Sequence, residues 1–248
     1  MAQEVEVLYG VAPVEAALGA GRRRLVRLWH KEGGKNPRHV EPIKAARRAK
    51  LEVRPCGSDQ LFKLTGSKMH QGLALECGPL EPLGLEDLLT APAQGERQLI
   101  VALDQIEDPQ NLGAIARSAH FLGAQGLLVP RSHSAPLSPT AVKASAGALE
   151  TCPLAEVGNL AEALERLKEA GYWVLGASLD TESLPLAQAL LAERMVLVLG
   201  NEGEGLRNLT AKRCDQLVRI EGSGAVESMN VSASAAIFLH HFLTQKAP

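Results

Sequence analysis

Aromatic residues are scarce: four Phe, two Trp and two Tyr in 248 residues. That leaves little material for the platforms on which single-strand-binding proteins stack bases. Cysteine is as sparse. Cys56, Cys77, Cys152 and Cys214 stand apart, with no C-x-x-C pair and no histidine at ligand spacing. This gives no support to a disulfide framework or a zinc module, and it fits isolated reduced thiols. No metal site is expected. No apolar run approaches the ~18–20 residues of a membrane span. The opening MAQEVEVLYG lacks the basic-then-apolar order of a secretory signal. A bacterial cytoplasmic protein without a membrane partner is expected. No fixed-period repeat is detectable.

Hydrophobic residues make up 46% of the chain and charged residues 22%, enough to bury a core in one large domain or two ordinary ones. The net charge of −2 hides an asymmetry. Residues 1–76 carry fourteen Lys/Arg against eight Asp/Glu, and the remainder carries twelve against twenty. The basic residues cluster in Arg22, Arg23, Arg24 and Arg27, and again in Lys44, Arg47 and Arg48. Such a front module suits a polyanion, because phosphate contacts release counterions and give sequence-independent affinity. An ordinary solvated surface is the alternative.

The front module alternates short apolar runs with helical patterns. Leu25–Trp29, Leu51–Val53 and Gly72–Glu76 read as strands, and residues 39–50 as a helix. Residues 77–98 hold three prolines and three glycines around one short apolar turn, the chemistry of a linker. The expected domains are 1–76, a linker over 77–98, and 99–248. In the last of these, Leu99–Leu103, Gly126–Val129, Tyr172–Ala177, Met195–Gly200 and Leu217–Ile220 are continuous apolar runs, as in strands covered on both faces. Helices are expected between them: after Asp108 as far as Gly123, over 160–170, and from about 230 to 244. The fold class is therefore α/β, with a small α/β front domain and a mostly parallel, doubly covered sheet behind it.

Three segments at strand C-terminal ends carry polar and glycine residues, where open α/β sheets place ligands. The first is Asn111-Leu-Gly-Ala-Ile-Ala-Arg117. A long guanidinium there can lean back toward a helix start that favours anions. By themselves, Asn111 fits an ordinary helix start and Arg117 a surface ion pair. The second is Leu199-Gly-Asn-Glu-Gly-Glu-Gly205. Its glycines let the backbone turn sharply and approach a ligand. The order G-x-x-G-x-G is not the dinucleotide fingerprint, so a Rossmann dehydrogenase fits poorly, and no P-loop lysine follows. Glu202 and Glu204 disfavour a phosphate there but tolerate a cationic or hydroxyl-bearing ligand. The third is Ser228-Met-Asn-Val-Ser232, where Ser228 or Asn230 can cap the last helix.

In this order and after these strands, N-x-G-x-x-x-R, L-G-x-E-G-x-G and S-M-N-V-S resemble the three signature motifs of the SpoU family. These are S-adenosylmethionine-dependent RNA ribose 2′-O-methyltransferases of the trefoil-knotted SPOUT class. The resemblance spans residues 99–244. The front module, with Tyr9-Gly10, Val14, Leu18 and His70-Gln71-Gly72, resembles the small substrate-binding domain of some members. The arrangement is most similar to members that methylate a guanosine in the peptidyl-transferase loop of 23S ribosomal RNA. The resemblance implies a catalytic group of Asn111, Arg117, Glu202, Ser228 and Asn230. It implies that Gly200, Ile220 and Met229 hold the cofactor, largely through backbone. It further implies a knot formed by the chain from about 196 as it threads under the segment ending near 232, and a homodimer through the C-terminal domain. The substrate would be ribosomal RNA, naked or in a precursor particle. Two departures stand out. Glu221-Gly222 replaces a common Pro-Met, and Met229 replaces a common leucine. The alternatives are the same chemistry on transfer RNA, an adenosine-specific resistance methyltransferase, and a non-catalytic RNA-binding assembly factor.

Overall fold

A computed structural model describes residues 4–33, 36–91, 97–180, 182–225 and 228–244. The chain divides into two compact units. One is residues 1–81 with 136–151, and the other is residues 82–135 with 152–248.

The first unit is built on strands β1 (Glu6–Tyr9), β2 (Leu25–Lys31), β3 (Glu52–Cys56) and β4 (Leu73–Cys77). Their spatial order is β1-β4-β2-β3. β4 runs antiparallel to both of its neighbours, and β2 and β3 are parallel. Leu75 lies opposite Leu8 on one side and Leu28 on the other, and all three are fully buried. Helices α1 (Val11–Ala20), α2 (Val40–Arg48) and α3 (Ser58–Thr65) connect the strands. α3 was not anticipated from the sequence. It is only eight residues long and buries a single side chain fully, Leu61, among Trp29, Cys56 and Ala74. So short a helix depends on tertiary packing rather than on propensity.

The second unit begins inside the proline-rich 77–98 stretch, part of which, residues 92–96, lies outside the described residues. There α4 (Leu85–Thr90) buries Leu85 and Leu88 in the core. Strand β5 (Gln98–Leu103) leads to α5 (Pro109–Leu122). Asp108 caps α5 by accepting from Gln110 N at 2.9 Å, Pro109 opens its first turn, and Gly123 ends it at φ +89°. This is the anticipated start and stop chemistry. Strand β6 (Gly126–Pro130) follows.

The chain then returns to the first unit for α6 (Pro139–Ala144) and a 3-10 turn at Ala148–Glu150. A buried ion pair holds this insertion there. Arg23 Nε donates to both Glu150 oxygens at 2.9 and 3.1 Å, and Arg23 Nη1 donates to Glu6 at 2.6 Å and to Gly78 O at 2.9 Å. The Arg23 and Glu150 side chains are both 0% exposed. At Gly147, φ is +90° and a Cβ would come within 2.8 Å of Ala12 O.

Back in the second unit come β7 (Leu154–Val157), α7 (Leu160–Glu169), β8 (Trp173–Ala177), β9 (Leu184–Pro185), β10 (Arg194–Leu199), α8 (Asn208–Arg213), β11 (Gln216–Arg219) and α9 (Val231–Thr244). The seven strands form a sheet in the order β7-β6-β5-β10-β8-β11-β9, and every paired register is parallel. α7 covers one face, where Leu160, Leu164 and Leu167 pack with Ile100, Ala102, Val196 and Val198. α5 and α9 pack against each other. Their buried stripes include Leu112, Ile115 and Ala119 on α5 and Phe238, Leu239 and Phe242 on α9. From β5 the chain winds outward through β6 to β7, then crosses to the other side through β8 and returns as β10 beside β5. The C-terminal ends of β5 and β10 thus flank a topological switch point, the crevice where such sheets bind ligands.

Candidate active site

The three polar segments converge at that crevice on one carboxylate oxygen. Glu202 Oε1 accepts from Asn111 Nδ2 at 3.0 Å, from Asn230 Nδ2 at 2.6 Å and from Val231 N at 3.1 Å. Asn230 Nδ2 also reaches Asn111 Oδ1 at 3.0 Å. Asn230 Oδ1 accepts from Ser232 N at 2.9 Å and so caps α9. The capping role and the joining role therefore fall to the same side chain. Residues 91 and 119 positions apart from Asn111 meet it at one point.

The loop after β10 is tightly wound. Asn201 and Gly205 exchange backbone hydrogen bonds at 3.0 and 2.9 Å. A Cβ on Gly200 would lie 2.3 Å from Gly205 C and O, so no larger residue fits without moving the loop. Gly205 itself has φ +69°, where a side chain is strained. Asn201 ties the loop to the segment that follows β5 by donating to Gln105 O at 3.2 Å. A second tie is the pair Asp104–Arg207. Asp104 is 0% exposed and accepts from Arg207 Nε at 2.7 Å and from Arg207 N at 3.0 Å. Asn201, Asp104 and Arg207 were missed in the sequence. The available signal was an acidic residue placed directly after the apolar run of β5, with a basic residue directly after the glycine loop.

Beside this loop opens a cavity of about 380 Å³. Gly200, Ile220 and Met229, the three expected cofactor contacts, all line it, as do Ser228 and Glu202. Leu199, Val231 and Phe238 supply apolar wall. Glu221 and Gly222, the departures from the common family pattern, form part of the rim, where Glu221 lies 3.7 Å from Arg219. Arg117 is exposed on α5 and has no hydrogen-bond or ion-pair partner among the described residues.

The basic residues of the front unit separate into two groups. Arg23 is corrected from a surface residue to an internal one, because Glu150 and Glu6 pair with its buried guanidinium. Arg22 is half-buried and donates to Leu149 O and Glu81 O. Arg27 is held by Glu52 at 2.6 Å and lies over the Trp29 ring. Arg24, Lys44, Arg47 and Arg48 are exposed, and Lys44 pairs with Glu41 one turn away.

The description of the SpoU rRNA Methylase family matches residues 98–240. The chain belongs to the SpoU rRNA methylase family. Residues 7–83 match the RNA 2′-O ribose methyltransferase substrate-binding domain, so a second SpoU-associated module precedes the methylase domain. The chain is 38% identical to the 23S rRNA (guanosine-2′-O-)-methyltransferase RlmB of Pseudomonas aeruginosa, over 98% of each protein. It is 40% identical to an uncharacterized tRNA/rRNA methyltransferase of Synechocystis sp., over 99% of this chain and 64% of that longer relative. Among solved structures, one described as an RNA 2′-O ribose methyltransferase superposes with a TM-score of 0.81 at 28% identity, covering 98% of this chain and 89% of that one.

Proposed function

We propose that this SpoU methylase transfers a methyl group from S-adenosylmethionine to the ribose 2′-hydroxyl of a guanosine in 23S ribosomal RNA. The observation that carries the reading is the Glu202 hub, which joins all three motifs at the mouth of a cavity. The end-to-end similarity to RlmB supports the substrate.

The cavity's volume falls within the ~300–1,000 Å³ of small-molecule sites, and its mixture of apolar wall and backbone polar groups suits a nucleoside that carries a cationic sulfonium and an amino-acid arm. S-adenosylmethionine supplies an electrophilic methyl group on a good leaving group. Gly200, Ile220 and Met229 would hold it. The chain's own task is to orient the ribose hydroxyl in line with that methyl and to assist loss of its proton. Glu202 Oε2 has no partner among the described residues, which leaves it free to accept from the hydroxyl while Oε1 is pinned by three donors. Asn111, Asn230 and Ser228 would fix the carboxylate and the ribose. A guanidinium is no base near neutral pH. Arg117, unpartnered and exposed, would instead grip the adjacent phosphate and offset developing negative charge. Arg117→Lys should therefore lose most turnover, because a point charge does not replace a bidentate fork.

Arg24, Lys44, Arg47 and Arg48 would hold RNA backbone on the front unit. A homodimer through the methylase unit is part of the same reading. Phe121 on α5 is 86% exposed and Ile237 on α9 is 38% exposed, apolar surface that a second copy would cover. The trefoil knot implied by the family belongs to this proposal as well. Cytoplasmic location follows from the substrate, whether it is naked RNA or a precursor particle. No helix among the described residues is long and apolar enough to cross a membrane.

The test is methyl transfer from labelled S-adenosylmethionine to unmodified 23S ribosomal RNA, with nuclease digestion and mass spectrometry locating the product. An alkali-resistant dinucleotide bearing 2′-O-methylguanosine is expected. Transfer to transfer RNA or to an adenosine would keep the chemistry and overturn the substrate. Binding of cofactor and RNA without transfer would favour an assembly factor.

A further inference from the structure

Asp104 and Arg207 form an unequal pair. The Asp104 side chain is 0% exposed at the end of the central strand β5, and the Arg207 side chain is 41% exposed. The bond to Arg207 Nε and the bond to Arg207 N take up both carboxylate oxygens. Nη1 and Nη2 are left with no hydrogen-bond or ion-pair partner among the described residues. Burying a carboxylate is unfavourable unless it is paired, and here that burial fixes where a surface arginine points. The arginine follows directly on the loop that lines the cavity and carries Glu202. A fork held by its Nε edge presents its two outer nitrogens as a preformed pair, the geometry that matches two oxygens of one phosphate.

We infer that Arg207, oriented by Asp104, binds a backbone phosphate of the substrate RNA beside the reacting nucleotide. Asp104 is then a positioning residue, and Arg207 is an RNA-binding residue distinct from Arg117. The inference rests on the reading of the chain as an RNA methyltransferase.

A purely structural pair would hold the glycine loop and nothing more, and the two roles separate in a double substitution. Arg207→Gln removes the free fork but leaves Asp104 buried and half-satisfied, so it lowers both stability and RNA affinity. Adding Asp104→Asn removes the orphaned charge. The Asp104→Asn/Arg207→Gln protein should regain the parent melting temperature and S-adenosylmethionine affinity. It should keep an RNA dissociation constant raised about tenfold, with the slope of log K against log salt for unmodified 23S RNA reduced by about one, as for one lost phosphate contact. If the double variant recovers RNA affinity and salt slope with its stability, the pair is a loop staple and the inference falls. If S-adenosylmethionine affinity falls while RNA affinity and slope stay at parent values, it falls equally. Should the double variant fail to fold, Arg207→Lys, which keeps the charge but loses the fork, decides by the same RNA titration: an unchanged dissociation constant overturns the inference. Failure of the parent protein to bind or methylate any RNA would instead overturn the reading on which it rests.

Discussion

Asn230 lies 2.6 Å from Glu202 Oε1 through its amide nitrogen, while its amide oxygen caps the last helix through Ser232 N. One side chain therefore sets both where α9 begins and where the carboxylate of the glycine loop points. Replacing Glu202 by Ala frees three donors at once. The two amide donors are exposed and only Val231 N is partly buried, so the fold should lose about 1 kcal/mol. Turnover should fall on the order of 100-fold or more, in line with the loss of an acid–base or orienting group. Glu202→Gln keeps an acceptor for the same donors and should be milder in stability, yet still impaired in rate. Initial rates of methyl transfer beside thermal melts check this; equal loss in both would reduce Glu202 to scaffolding.

Gly200→Ala should disable cofactor binding before it unfolds the protein. Its Cβ would meet Gly205 backbone at 2.3 Å, and backbone cannot rotate away as a side chain can. The loop must shift, and with it the cavity wall. Calorimetric titration with S-adenosylmethionine should show affinity weaker by at least about tenfold, equivalent to about 1.4 kcal/mol. Unaltered affinity would mean that the cofactor does not touch this loop.

Breaking the Arg23–Glu150 pair should be among the most damaging single changes in the front unit. Glu150→Ala leaves a buried guanidinium without its main partner, at a cost of about 3–5 kcal/mol for pairs of this kind. Urea unfolding should show the midpoint lowered to match. For the same reason a fragment ending at residue 81 should not fold by itself, since Glu150 and Gly147 arrive only with residues 136–151. A cooperative transition from that fragment would show the insertion to be dispensable.

The thiols should be inert at neutral pH. Burial, aided by Asp215, pushes the Cys214 thiol up to about 12, and burial pushes Cys77 to about 11. At pH 8 the Cys214 thiolate is then only about one part in ten thousand, and the thiolate is the reacting form. Because the folded-state values lie above the unfolded one, these groups favour folding below about pH 9 and lose that contribution as pH climbs toward 11 and 12. A thiol reagent at pH 8 should label no more than a small fraction of these two sites until denaturant is added. Rapid labelling of Cys214 in the native protein would contradict its burial.

The sequence by itself determined five of the seven strands of the second unit and its helices α5, α7 and α9, but not α4, β7, β9 or α8. Strands covered on both faces must be apolar throughout, so 99–103 and 195–199 announce themselves. Asp108-Pro109 and Gly123 mark the ends of α5 through local backbone chemistry that needs no tertiary context. The order of the three polar segments along the chain was likewise legible, because each follows a strand. What only the tertiary structure decided depends on contacts between residues far apart in sequence. α3 exists because Leu61 finds Trp29 and Ala74. Arg23 looked like its neighbours Arg22 and Arg24, yet a carboxylate 127 positions away draws it inside. The partnership of Asp104 with Arg207 spans 103 positions, and that of Asn111 with Asn230 spans 119. Charge and periodicity in a local window can show that a residue is polar or that a segment is helical. They cannot show which distant group will satisfy it, and here that pairing separates arginines drawn into the interior from those left exposed.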